Sequence, residues 1–118
     1  MMGLREAHRL FCLSAGYTPK GLEAMGKNPK TNRREAVEKL LNAAGGKLVS
    51  MYATIADGPG AMVIFDIDPA VAPAIAAVAA SSDAVHNIKM QRLFTTDEMM
   101  AIRAKRVELQ AAYAEPGQ

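Results

Sequence analysis

Three side chains in this sequence could transfer a proton to or from a substrate. Tyr52 carries a phenol, His86 an imidazole and Lys47 an ammonium group, so each is a candidate general acid or base. Each also has a purely structural interpretation. Tyrosine is a common strand residue, and a lysine or histidine at the start of a strand is usually solvated. The sequence leaves both interpretations open.

Three further side chains are candidates for ligand binding rather than catalysis. Tyr17 and Thr54 could orient the polar group of a small ligand in a cleft, and Met90 could line an apolar pocket. Methionine at strand spacing also serves as core filler, so a pocket and an ordinary core remain alternatives.

Hydrophobic periodicity and cap residues place these candidates on a regular series of elements. Strict alternation puts His86 on the same face as Ile88, and Leu48 on the same face as Ser50. The predicted strands cover residues 8–17, 47–56, 61–67 and 85–94, and the predicted helices begin at Thr18, Thr31, Asp68 and Thr96, the last ending near Tyr113.

The predicted order is β-α-β-β-α-β followed by an extra C-terminal helix, which is typical of a ferredoxin-like α+β fold. That arrangement makes the first and third strands central, and these are also the most apolar strands. A length of 118 residues accommodates one domain, which we assign to residues 1–118 with a core over about residues 8–113.

The first predicted strand is apolar on both faces, since Leu10 and Cys12 point one way while Phe11 and Leu13 point the other. Helices can cover only one face of such a sheet. Burying a side chain such as Phe, Leu or Ile contributes about 1.5–3 kcal/mol, so a partner sheet on the second face is favourable. The sequence therefore predicts a homodimer or a higher oligomer formed through the open face.

Composition and spacing argue against several classes of partner. The net charge is only +2, and the basic cluster at residues 27–34 has no interleaved aromatic residues, so we expect no nucleic-acid binding. No signal peptide and no membrane-spanning run are predicted, and we expect a cytoplasmic protein. His8 and His86 begin neighbouring antiparallel strands and should lie at opposite ends of the sheet. We expect no cofactor, and no metal site within one chain.

Four short stretches stand out by their sequence and spacing: Tyr17-Thr18-Pro19-Lys20-Gly21, Gly45-Gly46-Lys47, Tyr52-Ala53-Thr54, and Phe94-Thr95 with Asp97-Glu98. Together they resemble the GYD-domain family, over roughly residues 10–105. The resemblance implies a dimeric α/β barrel, in which two ferredoxin-like chains pair sheet to sheet. The Gly-Tyr-Asp tripeptide that names the family is absent, because its place is taken by Asp57-Gly58-Pro59-Gly60 with one extra residue, so no functional residue carries over from it.

Three functions fit the sequence. The first is a homo-oligomeric module that binds a small apolar or aromatic molecule between helices and sheet. The second, which the resemblance implies through wider relatives of the barrel type, is a cofactor-independent oxygenase or isomerase using Tyr52, His86 or Lys47. The third is an assembly or regulatory protein with no ligand. A cavity favours the first two, and a core without voids favours the third.

Overall fold

A four-stranded antiparallel sheet forms the centre of this computed structural model, which describes residues 8–117. The strand order is β2-β3-β1-β4, so the two strands predicted to be central are indeed central. This arrangement confirms the predicted ferredoxin-like α+β fold. The strands are β1 (Arg9–Tyr17), β2 (Lys47–Ile55), β3 (Pro59–Ile67) and β4 (Val85–Leu93).

The four helices begin and end largely where the cap residues indicate. Asn32 accepts a hydrogen bond from the backbone N–H of Glu35, and the second helix ends in a Schellman motif in which the N–H of Gly46 donates to the Leu41 carbonyl. The third helix begins later than predicted, because Asp68 caps a preceding turn through the N–H of Ala70. The helices are α1 (Pro19–Lys27), α2 (Arg33–Ala43), α3 (Ala72–Ala80) and α4 (Thr96–Ala112).

The hydrophobic core lies between one face of the sheet and the helices that follow β1 and β3. Phe65 and Ile67 of β3 are completely buried, and Leu41 of α2 is 1% exposed. Phe11 stacks against Phe65 with ring centroids 6.1 Å apart. We call this side of the sheet the helix face and the other side the open face.

A bulge in β4 corrects the predicted orientation of His86. The pairing of β1 with β4 shifts between Ser14 and Gly16, and Asn87 adopts a positive φ of 53° at that point. His86 therefore lies opposite Gly16 on the open face, whereas Ile88 packs against the core. The prediction that these two residues share a face was wrong, since the bulge adds one residue and reverses the alternation.

A second bulge, in β2, corrects the orientation of Leu48. Leu48 lies opposite Phe65 and is buried, while Ser50 lies opposite Ile64 on the open face. The extra residue is Val49, which is 51% exposed. Leu48 thus contributes to the core instead of sharing the face of Ser50.

The first turn of helix α4 is held by side-chain contacts, whereas the rest of the helix packs little against the domain. Thr95 and Glu98 form the predicted capping box, and the Glu98 carboxylate also contacts Arg92 at 2.9 Å and Arg9 at 3.7 Å. None of its residues is buried, and Val107 and Leu109 are more than 60% exposed. The Cα radius of gyration is 18.1 Å, against about 13.5 Å for a compact chain of this length. Helix α4 therefore lies largely outside the packed part of the domain.

We predict that acid loosens the start of α4 through Glu98. The N–H of Thr95 donates to this carboxylate at 3.0 Å, and this bond together with Arg92 holds the pKa of Glu98 below its ordinary value. Because the folded pKa is the lower one, the stabilisation is complete above the ordinary carboxyl range and is lost as the pH falls through the lowered pKa. Amide exchange should show the protection of the first turn decreasing in acid.

The Glu98→Gln variant is the control for this prediction. Its amide oxygen can still accept from Thr95 but does not titrate in acid, so the protection of the first turn should lose its pH dependence. An equal loss of protection in the variant and the parent protein would contradict the assignment to Glu98.

Candidate functional site

An apolar cavity of about 440 Å³ lies between the helix face and helices α1, α2 and α3. Its floor is formed by β1 and β3 through Leu13, Val63 and Phe65. Leu41 of α2 and Ile75 of α3 form part of its walls. These five side chains are all buried, so the inner part of the cavity presents hydrocarbon alone.

The small residues of α1 and α3 explain why the space is not filled. The α3 sequence APAIAAVAA has only Ile75 and Val78 as large side chains, and Ala79 lines the cavity where a larger residue would occupy it. Helix α1 adds Ala24 to the lining, which is also a small side chain. Helices normally pack closely against a sheet, so an apolar cleft of this size between them is a distinct feature of the structure.

One wall of the cavity is held by contacts between the start of α1 and the loop before β4. The Thr18 hydroxyl accepts from the N–H of Gly21 at 3.0 Å and donates to the Asp83 carbonyl at 2.6 Å. The Thr18 N–H donates to the Ala84 carbonyl at 3.0 Å, and Lys20 forms an ion pair with Asp83 at 3.1 Å. These contacts fix α1 across the end of the sheet.

Polar side chains are confined to the exposed end of the cavity. Tyr17 at the end of β1 is half-buried, and Thr31, Arg33 and Ser82 are exposed. The arrangement therefore combines an apolar interior with a few polar groups at the opening, as small-molecule sites do.

The predicted ligand-binding residues have different positions relative to this cavity. Tyr17 lines it. Met90 lies opposite Leu13 on the helix face and packs against the core, but it is not part of the lining. Thr54 lies opposite Gly60, on the open face. The cavity thus includes one of these three residues.

The predicted catalytic residues all lie on the open face and do not meet. Tyr52 and Lys47 are on the edge strand β2, where they face Met62 and Asp66 of β3. His86 is on β4, the other edge strand. At about 4.8 Å per strand, the two edges are about 14 Å apart. The structure therefore does not assemble these three side chains into one proton-transfer site.

The open face also contains a pair that the sequence did not indicate. The His8 Nδ1 lies 3.5 Å from Asp66 Oδ1, and this carboxylate oxygen is buried without a hydrogen-bond partner. Only the register of β1 with β3 brings the two side chains together. Cys12, on the same face, is buried, and burial raises the pKa of its thiol. Within residues 8–117, no cluster of three or more His, Cys, Asp or Glu residues is arranged to hold a metal ion.

A family comparison agrees with this architecture. The family model described as the GYD domain matches residues 11–102, which is most of the chain. The chain belongs to the GYD-domain family. Neither the curated proteins nor the solved structures contain a match to it. Over residues 8–117, no helix of this GYD domain combines the length and the apolar character that crossing a membrane requires.

Several residues that carry the family resemblance serve the structure of this GYD domain. Thr18 and Gly21 join α1 to the loop before β4, and Gly46 completes the cap of α2. Thr95 and Glu98 form the capping box of α4. The residues that sequence reasoning missed are the alanines of the cavity wall and Arg33 at its opening. The run of small residues in α3 is the sequence feature from which the cavity wall could have been predicted.

We predict opposite effects on stability for two glycines of α1. A Cβ at Gly21 would lie 2.3 Å from the Ala84 carbonyl oxygen, whereas a Cβ at Gly26 would meet no atom within 4 Å. Gly26→Ala should raise the free energy of unfolding by about 0.5–1 kcal/mol, because alanine favours a helix. Gly21→Ala should lower it by about 1–3 kcal/mol, because the backbone must move. Urea unfolding measures both, and equal stabilisation by the two substitutions would contradict the packing described for α1.

Proposed function

We propose that this GYD-domain protein is a small homo-oligomeric module that binds a small apolar or aromatic molecule between its helices and its sheet. The cavity above the helix face is the observation that carries this proposal. Its volume of about 440 Å³ falls in the range of small-molecule sites, roughly 300–1,000 Å³. A ligand here would be enclosed by side chains of β1, β3 and three helices.

The chemistry of the lining favours an apolar ligand over a polar one. The buried lining residues Leu13, Leu41, Val63, Phe65 and Ile75 offer no hydrogen-bonding side chain. A water molecule in a cavity needs two to four polar partners, so the interior is a poor environment for water and a good one for hydrocarbon. Transfer of an apolar group into it is favourable by about 25 cal/mol per Å² of buried surface.

The alternatives have less support than binding. For an oxygenase or isomerase, the candidate side chains Tyr52, His86 and Lys47 would have to act at the cavity, yet they lie on the other face of the sheet. An assembly protein that binds no ligand would have no use for a cavity between the helices and the sheet. The cavity therefore favours ligand binding. The position of Tyr52, His86 and Lys47 on the other face of the sheet argues against proton transfer to a ligand in the cavity.

Two apolar surfaces outside the core support the homo-oligomeric part of the proposal. On the open face, Met62 and Ile64 of β3 lie beside Leu10 and Cys12 of β1, and none of the four belongs to the core beneath the helices. Helix α4 exposes a second apolar surface, which includes Leu109. A second copy of the chain would present the same two surfaces, so a symmetric dimer can cover both at once.

A cavity-filling substitution tests ligand binding. We expect the neutral fluorescent probe N-phenyl-1-naphthylamine to bind the protein with an increase in emission. Ala79→Leu should weaken this binding at least about tenfold, because the added side chain occupies the cavity. Ala80→Leu is the matched control, since Ala80 is exposed on the same helix and does not line the cavity.

The outcome that supports the proposal is a loss of affinity in Ala79→Leu with unchanged affinity in Ala80→Leu. Circular dichroism of the two variants confirms that both are folded. Equal probe affinity in the parent protein and in both folded variants would place the probe elsewhere and would contradict the proposal.

A further inference from the structure

We infer that the ligand of this cavity is an amphipathic carboxylate, with its apolar part among the buried side chains and its anionic head beside Arg33. This inference rests on the proposed binding function and names the class of ligand. It follows from the charge of the lining residues, from the lack of an ion-pair partner for Arg33 among residues 8–117, and from the separation of the charged and apolar parts of the lining.

The first observation is the sign of the charge at the cavity. Among the described residues that line it, Arg33 is the only one whose side chain carries a full charge at neutral pH, and none is acidic. The remaining polar lining side chains, Tyr17, Thr31 and Ser82, can donate hydrogen bonds through their hydroxyl groups. These hydroxyls can also accept, so they suit either head group and the charge of Arg33 decides: it attracts a carboxylate and repels an ammonium group.

The second observation is that Arg33 and its neighbour Arg34 differ in their partners. Arg34 lies 3.3 Å from Glu38, one helical turn along α2, and does not line the cavity. No ion pair is formed by Arg33 with any residue in the described range 8–117. A cation in the first turn of a helix is also unfavourable to the helix itself. Among residues 8–117 no carboxylate pairs with Arg33, so its guanidinium can pair with an anion at the cavity opening.

The third observation is that the charged and apolar parts of the cavity are spatially separated. Arg33 is exposed at the opening, and the completely buried Phe65 lies at the floor. At about 30 Å³ per water-sized group, 440 Å³ holds on the order of fifteen such groups, and decanoate has about twelve non-hydrogen atoms. A medium-length fatty acid or an aromatic acid of similar size has the required combination of one anionic end and one apolar body.

Competition against bound N-phenyl-1-naphthylamine tests the inference with three ligands of equal chain length. We expect decanoate to displace the probe about three- to tenfold more effectively than decan-1-ol, and decylamine, cationic at neutral pH, to be the weakest. The difference between decanoate and decan-1-ol should shrink at high salt, because Arg33 is exposed to solvent.

Variants at the two arginines assign the preference to a single side chain. Arg33→Met should abolish the advantage of decanoate over decan-1-ol, measured as the ratio of the two affinities within the same variant, because the guanidinium that distinguishes the two head groups is gone. Arg33→Lys should retain part of that advantage, because the charge remains. Arg34→Met is the matched control and should retain all of it, since this neighbouring guanidinium is paired with Glu38.

The outcomes separate this inference from the function on which it rests. Probe binding with equal displacement by decanoate and decan-1-ol, or an advantage of decanoate that persists in Arg33→Met, overturns the inference and leaves the apolar binding function in place. Failure of the probe and of all three competitors to bind overturns the binding function, and the inference with it.

Discussion

The structure depends on a sheet whose two central strands are apolar on both faces. In β1 the helix face carries Phe11 and Leu13, and the open face carries Leu10 and Cys12. The helices between the strands can cover one face of a ferredoxin-like sheet and no more. The apolar surface of the sheet therefore exceeds what these helices can cover. The proposed ligand binding on the helix face and the proposed association of copies through the open face both follow from that excess.

On the helix face the excess takes the form of a cavity. Short helices rich in glycine and alanine approach the sheet closely at some points, as where Gly21 contacts Ala84, and leave space at others, as beside Ala79. Because Thr18 fixes α1 to the loop before β4, the wall cannot simply collapse into that space. We propose that a ligand with an apolar body completes this packing and that Arg33 favours an anionic end on that ligand.

Much of the fold could be predicted from the sequence, because its signals are local. Apolar content marked the central strands, and caps such as Thr95 with Glu98 marked the helix ends. The two bulges could not be predicted, since a single extra residue such as Val49 or Asn87 leaves no periodic signal yet reverses the strand beyond it. The cavity depends on which small residues face one another across the core, and that is a property of packing. Tyr17 was the one candidate residue that the cavity includes.

On the open face Leu10, Met62 and Ile64 are partly exposed, and α4 adds further exposed apolar surface. The account therefore requires that copies of the chain associate. Native mass spectrometry of freshly purified protein at micromolar concentration tests this requirement most directly. The account predicts a mass that is a multiple of the 12.6 kDa chain, at least a dimer. A population consisting only of the 12.6 kDa monomer would contradict it.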